Sequence, residues 1–157
     1  TVTEVLSALG ADVEEHDDAV LVRRCGPISR VNVKTMPYPG FPTDLQAQMM
    51  ALQTVSEGTC ILVENVFENR LKHAGELIKM GADITVKGRT AVIKGVYELY
   101  GANVNAYDLR GGAAMVLAGL RARGVTRVMD AGYIDRGYYR LEENLSKLGA
   151  DIKTAED

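Results

Sequence analysis

The sequence has no tryptophan, only two cysteines and only two histidines among its 157 residues. Both cysteines lie in strand-like contexts, Cys25 after LVRR and Cys60 before ILV. That placement favours buried free thiols in a reducing compartment over a disulfide. His16 and His73 are far apart and lack cysteines or carboxylates at the spacing of a zinc site. We therefore expect no disulfide, no metal and no cofactor.

An excess of basic charge and long apolar runs are also absent. The 18 Lys and Arg residues are scattered among 21 Asp and Glu residues, and the net charge is -3. This balance lacks the basic patch that binds nucleic-acid phosphates. No apolar run approaches the roughly 20 residues of a membrane span, and the N-terminal TVTEVLSALG has no basic signal-peptide region. We expect no nucleic-acid partner, no membrane insertion and a cytoplasmic location.

An internal repeat organises what is present. Three similar stretches each end an amphipathic segment with glycine and then begin a segment in which apolar and polar residues alternate. They are LSALGAD, LIKMGAD and LSKLGAD. The glycines are Gly10, Gly81 and Gly149, so the period is about 70 residues. With 46% apolar residues, the chain is long enough to bury one core. Two complete repeats therefore share a single domain or part of one.

The two repeats carry matching secondary-structure signals. Alternating apolar residues predict strands in VLVRR and VNVKT, and again in TAVIKG and VNAYD. A helix that ends in glycine follows in each repeat, LQAQMMALQTVSEG and LRGGAAMVLAGLRARG. A further strand comes next (TCILVENV, VTRVMDAG), and then a second helix (NRLKHAGELIKMGA, GYYRLEENLSKLGA). This order predicts an α/β or α+β fold.

Charged residues occupy equivalent places in the two repeats. When the glycines predicted to end the first helix of each repeat are matched, the two repeats are offset by 66 positions. At this offset Asp44 is equivalent to Arg110, and Arg70 is equivalent to Arg136. All four lie near predicted helix starts. Because equivalent elements present equivalent ends to one side of a domain, we expect these charges to converge on one rim. Helix N-termini and fixed cations there favour an anionic ligand.

Several blocks of the sequence resemble one known family. PYPGFPTDLQAQ is followed by EGT, VFENR, GADI, YDLRGGAA, LAGL and IDRGYYRLEENLSKLGADI. In this order and spacing they resemble the C-terminal part of the UDP-N-acetylglucosamine enolpyruvyltransferases, in the enolpyruvyltransferase family. The resemblance covers nearly the whole chain and is weakest over about the first 30 residues.

The resemblance implies an architecture. Family members have two domains, each an inside-out α/β barrel of three βαβ-type units, with the active site between the domains. By this resemblance residues 1–157 form a partial C-terminal domain, with repeat units at about 10–80 and 81–148 and a tail at 149–157. The family's catalytic cysteine loop belongs to the missing N-terminal domain, and its phosphoenolpyruvate-contacting lysine lies outside this stretch. Neither Cys25 nor Cys60 occupies the cysteine motif.

The resemblance also implies roles for six residues that contact substrate: Asp44, Val66, Phe67, Arg70, Arg110 and Arg136. Asp44 would accept a hydrogen bond from the attacking sugar hydroxyl, and Arg110 and Arg136 would bind phosphoenolpyruvate. Asp44 and Arg136 are the catalytic members of the set. Val66, through its main chain, and Phe67 would contact the UDP-sugar. Arg70 would contact substrate or pair with Glu68 or Asp135.

Each role has a structural alternative. Thr43 or Asp44 would serve as the N-cap of the following helix. The arginines would form surface ion pairs, and Val66 and Phe67 would be core residues at a strand end. The three prolines of PYPGFPTD restrict the backbone before Asp44 in either case.

Three functions fit these residues. The first is transfer of the enolpyruvyl group of phosphoenolpyruvate to the 3-hydroxyl of UDP-N-acetylglucosamine, the first committed step of peptidoglycan synthesis. The second is the related shikimate-using synthase, and the third is a non-catalytic binding or assembly half. If the first holds, the isolated chain supplies one wall of the site and shows no turnover.

Overall fold

The computed structural model describes residues 1–155. The helices are α1 (Val2–Ala8), α2 (Gln46–Gln53), α3 (His73–Lys79), α4 (Leu109–Arg121), α5 (Gly132–Asp135) and α6 (Leu141–Lys147). The strands are β1 (Ala11–Glu15), β2 (Val20–Arg24), β3 (Val33–Lys34), β4 (Thr59–Val63), β5 (Asp83–Lys87), β6 (Thr90–Lys94), β7 (Asn103–Asn105) and β8 (Arg127–Met129). In this part of the chain no helix is long and apolar enough to cross a membrane.

The strands form three small sheets. Strands β1 and β2 make an antiparallel hairpin in which Val13 faces Val22. A four-stranded sheet has the order β3-β4-β6-β5, with β3 parallel to β4 and the other pairs antiparallel. Strands β7 and β8 pair in parallel, with Val104 opposite Val128. Helices and sheets are thus interleaved along the chain, as the predicted α/β class requires.

The order of elements in residues 11–79 recurs in residues 83–147, with the short helix α5 added before the last helix. Each stretch begins with an antiparallel hairpin and continues with a parallel pair of strands joined by a helix, β3-α2-β4 and then β7-α4-β8. Gly58 and Gly124 lie five and three residues beyond the ends of α2 and α4, with left-handed φ angles of 91° and 93°. They form turns between each crossover helix and the next strand rather than the helix C-caps that the sequence predicts, because the helices end at Thr54, which is right-handed, and at Ala122, which is extended.

The core lies where the two crossover helices meet. Helices α2 and α4 pack against each other, and Met50 of α2 and Met115 of α4 are completely buried. Leu62 of β4 and Ile93 of β6 close the same core from the four-stranded sheet. Because α2 and α4 are fixed side by side, the segments that enter them are fixed relative to each other as well.

Two further local expectations are wrong. Cys60 is buried, and burial raises the pKa of its thiol to about 11, but Cys25 follows the end of β2 and is exposed. The last predicted helix begins only at Leu141, because Arg140 adopts a left-handed backbone conformation (φ 47°) that interrupts a right-handed helix. The expected assignment of residues 1–157 to a partial C-terminal domain remains a prediction, and of its tail residues 156 and 157 lie outside the described part.

Candidate functional site

The proline-rich segment forms a closed turn that leads into Asp44. Within it the Gly40 N–H donates to the Pro37 carbonyl at 2.9 Å, and the Met36 N–H donates to the Phe41 carbonyl at 3.0 Å. Phe41 is buried and anchors the far side of the turn. A short 3-10 turn, Thr43–Leu45, then runs directly into α2. Asp44 is therefore held at the start of a core helix by a segment with few backbone states.

Asp44 is the centre of a cluster of opposite charges. Its Oδ1 lies 2.5 Å from Arg110 Nε and 3.9 Å from a terminal nitrogen of Arg70. The Asp44 side chain is 63% exposed, whereas those of Arg110 and Arg70 are 32% and 19% exposed. The comparison of the two repeats predicts that four charged residues converge, and three of them, Asp44, Arg70 and Arg110, lie at one place on the surface. The cluster carries one more positive than negative charge and is open to solvent.

Helix α4 positions Arg110. Asp108 is the N-cap residue, and its Oδ1 accepts hydrogen bonds from the main-chain N–H groups of Arg110 and Gly111 at 2.9 and 2.8 Å. This capping fixes the first turn of the helix. Arg110 therefore projects from a rigid helix start, where the unpaired N–H groups and the helix dipole add positive potential. The sequence analysis missed Asp108, although an aspartate directly before LRGG is a recognisable capping signal.

The capping alternative for Thr43 and Asp44 is not what the structure shows. Helix α2 has Leu45 at its N-cap position, and no side chain caps it. The Thr43 hydroxyl donates to Glu64 Oε2 at 2.9 Å, and the Asp44 carboxylate accepts from Arg110. Both side chains are thus engaged with distant parts of the chain rather than with their own helix.

Glu64 is a site residue that the sequence analysis missed. It follows β4, is fully buried, and accepts hydrogen bonds at Oε1 from the Thr35 hydroxyl and from the main-chain N–H groups of Val66 and Phe67, at 2.9, 2.9 and 3.0 Å. Burial alone would raise the pKa of Glu64, but these hydrogen bonds and that of Thr43 outweigh burial and lower the pKa. Glu64 is therefore ionised at neutral pH.

Val66 and Phe67 lie beyond the end of β4 rather than inside the core. Strand β4 ends at Val63 rather than at the predicted Val66, and Phe67 is 51% exposed. The Arg70 guanidinium lies 4.5 Å from the centre of the Phe67 ring, within the range of a cation–π contact. Of the predicted pairings for Arg70, that with Glu68 is wrong, because Glu68 pairs with Arg89. Arg70 turns instead towards Thr43 and Asp44.

Unlike Arg70 and Arg110, Arg136 makes no ion pair with Asp44. It is exposed at the end of α5 and lies 5.4 Å from the centre of the Tyr133 ring, and within residues 1–155 it forms no ion pair. Its segment is nevertheless attached beside the cluster. Gly137 approaches the Leu109 side chain so closely that an added Cβ would lie 3.0 Å from it, and the Tyr138 hydroxyl accepts from Gln48 Nε2 at 2.7 Å.

His73 lies beneath the site and is uncharged at neutral pH. Burial lowers its pKa to about 4, and the positive charge of Arg70 acts in the same direction against the opposing effects of Asp108 and Glu64. Its Nε2 is buried and has no hydrogen-bond partner in the described part of the chain. His73 therefore serves as a neutral packing residue. The described residues contain no group of three potential metal ligands.

A sizeable cavity lies away from this cluster. An apolar groove of about 360 Å³ runs between α1, α2 and α4 and is lined by residues such as Leu6, Leu52 and Leu117. None of the six predicted site residues lines it. The charged cluster is instead an open surface that offers a carboxylate beside guanidinium groups, and this arrangement suits a ligand that carries both a hydroxyl and anionic groups.

Comparisons with known proteins were made by sequence and by structure. Residues 1–157 match the family model described as EPSP synthase (3-phosphoshikimate 1-carboxyvinyltransferase). The chain is 57% identical over 147 residues to a UDP-N-acetylglucosamine 1-carboxyvinyltransferase of Desulfofundulus thermocisternus, covering 94% of this chain and 60% of the relative. It is 53% identical to UDP-N-acetylglucosamine 1-carboxyvinyltransferase 3 of Caldanaerobacter subterraneus subsp. tengcongensis, covering 94% of this chain and 35% of that relative.

A solved structure has the same fold. The enolpyruvyl transferase NikO from Streptomyces tendae superimposes with a TM-score of 0.87 at 30% identity, covering 96% of this chain and 35% of that one. The α/β fold expected from the resemblance is thereby confirmed. In each comparison the chain spans less than two thirds of the other protein, so a large part of those proteins has no counterpart in this chain.

Proposed function

The chain belongs to the EPSP synthase family of carboxyvinyltransferases, and from this premise we propose that it forms one wall of an active site that transfers the enolpyruvyl group of phosphoenolpyruvate to the 3-hydroxyl of UDP-N-acetylglucosamine. The reaction is a cytoplasmic step of peptidoglycan synthesis, and cell shape and cell division depend on it. The second wall is an N-terminal domain that carries the catalytic cysteine loop.

The contact of Asp44 with Arg110 is the observation that carries the proposal. A carboxylate 2.5 Å from one guanidinium and 3.9 Å from another is held in one orientation. It is thereby placed to accept a hydrogen bond from the sugar hydroxyl. Because both arginines already contact this carboxylate, Asp44 acts more by orientation and charge stabilisation than by proton abstraction.

The arginines suit the other substrate. Phosphoenolpyruvate carries a carboxylate and a phosphate, and arginine binds such groups through paired N–H donors. Arg110 uses its Nε on Asp44, and within residues 1–155 its terminal nitrogens make no hydrogen bond, which leaves them for the anion. Arg136, on the adjoining segment, would complete the anion site when substrate binds. Arg70, Phe67 and the Val66 main chain would contact the UDP-sugar.

The bond changes balance without any further reactant. The sugar oxygen bonds to C2 of phosphoenolpyruvate, the bond from C2 to the phosphate oxygen breaks, and the hydroxyl proton leaves with inorganic phosphate. Asp44 would hold the hydroxyl during the attack, while Arg110 and Arg136 would stabilise the charge that develops on the departing phosphate.

The shikimate-using reaction is the alternative, because the matching family model is named after it. The degree of identity favours the nucleotide sugar. Relatives named UDP-N-acetylglucosamine 1-carboxyvinyltransferase are 50–57% identical to this chain, whereas an EPSP synthase structure from Acinetobacter baumannii is 20% identical. A non-catalytic binding half remains the third possibility for the chain by itself.

A chimaera tests the proposal. In this protein, called the chimaera below, our chain replaces the matching region of the Caldanaerobacter subterraneus relative, which supplies the remaining length. We expect the chimaera to release phosphate from phosphoenolpyruvate only when UDP-N-acetylglucosamine is present, and the isolated chain to release none. A folded chimaera that is inactive with UDP-N-acetylglucosamine, or that prefers 3-phosphoshikimate, would contradict the proposal. Turnover by the isolated chain would refute the two-wall arrangement.

A further inference from the structure

We propose that Glu64 is a positioning residue of this site, which orients Arg70 through the Thr43 hydroxyl and holds the Val66–Phe67 main chain in place. The inference rests on the proposed function, because the residues that Glu64 positions are those that would contact the UDP-sugar and Asp44. Glu64 itself is fully buried, so it presents no surface to a bound substrate.

The two carboxylate oxygens of Glu64 have separate partners. Oε1 accepts from the Thr35 hydroxyl and from the N–H groups of Val66 and Phe67. Oε2 accepts from the Thr43 hydroxyl at 2.9 Å. One oxygen therefore fixes the loop that follows β4, and the other is joined to the turn that carries Asp44.

The direction of the hydrogen bonds at Thr43 is fixed. Arg70 Nη1 lies 2.9 Å from Thr43 Oγ1, and a guanidinium can only donate. The Thr43 hydroxyl must therefore accept from Arg70, and its own proton goes to Glu64 Oε2. The chain of bonds runs from Arg70 through Thr43 to Glu64, and the same Arg70 lies 3.9 Å from the Asp44 carboxylate.

A glutamine at position 64 would break this chain at one point. Its amide oxygen can keep the three bonds of Oε1, but its NH2 group would take the place of Oε2. That group is a donor, so it would compete with Arg70 for the Thr43 oxygen and leave the Thr43 proton without an acceptor. Glu64→Gln therefore separates the positioning of Arg70 from the anchoring of the loop.

Glu76 provides the matched control. It is also buried, and it accepts from the Asn105 N–H at 2.9 Å and the Tyr107 hydroxyl at 3.1 Å while pairing with Lys79. It has no contact with Thr43 or Arg70. Glu64→Gln and Glu76→Gln thus replace similar buried carboxylates, of which only one is joined to the cluster around Asp44.

The experiment measures phosphate release by the chimaera and by its variants, with unfolding followed by circular dichroism. We expect Glu64→Gln to lower kcat/KM by about 10- to 100-fold, the usual range for loss of a hydrogen bond that orients a site residue. Glu76→Gln should lower the melting temperature without reducing the turnover of the folded enzyme. Equal losses of turnover in the two variants would overturn the proposal.

A double-mutant cycle tests the route through Thr43. If Glu64 acts through that hydroxyl, Glu64→Gln combined with Thr43→Val should be no less active than Thr43→Val alone, and Thr43→Ser should retain activity. A general structural role predicts losses that multiply instead, and that result would overturn the proposal.

A crystal structure of the Glu64→Gln chimaera separates this inference from the proposed function. It should show Arg70 displaced from Thr43 Oγ1, and this readout needs no turnover. If the parent chimaera is inactive, the proposed function fails, and the displacement alone decides the role of Glu64. Retention of the 2.9 Å contact in the variant would overturn the positioning role.

Discussion

Asp44 Oδ1 and Arg110 Nε are 2.5 Å apart, although the two residues are separated by 66 positions in the chain. That separation equals the offset between Gly58 and Gly124, the left-handed glycines in the turns that follow α2 and α4. Asp44 of the first repeat thus contacts Arg110, the equivalent residue of the second repeat, which carries the opposite charge. The packing of α2 against α4 brings the starts of the two helices together, and the repeat thereby builds a charged cluster between its copies.

Removing the Asp44 charge should abolish most activity without unfolding the protein. In the chimaera, Asp44→Asn should lower kcat by about 10²- to 10³-fold, the range for loss of one group that stabilises charge in the transition state. Because the side chain is largely exposed, its free energy of unfolding should change by less than about 1 kcal/mol. Asp12→Asn, in the exposed hairpin where Asp12 pairs with Arg23, is the matched control and should keep full activity. Near-normal turnover of Asp44→Asn would leave Asp44 as a structural residue.

Arg110→Lys should weaken anion binding more than its conserved charge suggests. A lysine cannot pair with Asp44 and present two further N–H donors to a phosphate or carboxylate at once. We expect KM for phosphoenolpyruvate in the chimaera to rise by at least about tenfold, which corresponds to about 1.4 kcal/mol. Arg23→Lys, at an exposed ion pair of the β1–β2 hairpin, should leave KM unchanged. An unchanged KM in Arg110→Lys would place the anion elsewhere.

Gly40→Ala should disturb the turn that carries Asp44. A Cβ at this position would collide with Met36 Cβ and lie 3.1 Å from the Pro37 carbonyl oxygen. Relief of such overpacking usually costs about 1–3 kcal/mol of stability, and here it must shift the segment before Thr43. We expect a lower urea midpoint and reduced turnover. Gly26→Ala is the control, because its Cβ would meet no atom within 4 Å. Identical behaviour of the two variants would contradict a rigid turn.

The buried His73 should make the chain less stable in mild acid. Its pKa is lowered from its ordinary value near 6.5 to about 4, so the unfolded state binds a proton in this window and the folded state does not. Stability from this group is therefore present above pH 6.5 and lost as the pH falls towards 4, by up to about 1.4 kcal/mol per pH unit.

Urea unfolding at several pH values measures that contribution. The slope of the free energy of unfolding between pH 6.5 and 4 should be smaller in His73→Leu than in the parent chain. Equal slopes in the two proteins would mean that the pKa of His73 is the same in the folded and unfolded states.

Local patterns and the repeat were sufficient to predict the α/β class and the crossover helices. The left-handed glycines after α2 and α4 were readable because glycine is the residue that tolerates that conformation. The meeting of Asp44 with Arg110 followed from the equivalence of the repeats. These features depend on short stretches of sequence or on a comparison of the chain with itself.

Features that depend on tertiary contacts were not predictable. Glu64 is a single glutamate after an apolar strand, and such a residue usually marks a solvated strand end. Its burial depends on Thr35 and Thr43, which lie 29 and 21 positions earlier in the chain. Cys25 is likewise exposed because it directly follows the end of the β1–β2 hairpin. Arg140 adopts a left-handed conformation although the sequence around it predicts a helix.

The position of the bound sugar tests the central claim most directly. A crystal structure of the chimaera with UDP-N-acetylglucosamine should place the 3-hydroxyl within about 2.6–3.2 Å of an Asp44 carboxylate oxygen, the reach of a hydrogen bond. It should also place the sugar nucleotide against Val66, Phe67 and Arg70. A sugar bound with its 3-hydroxyl far from Asp44, or on another face of the domain, would contradict the proposed role of this chain.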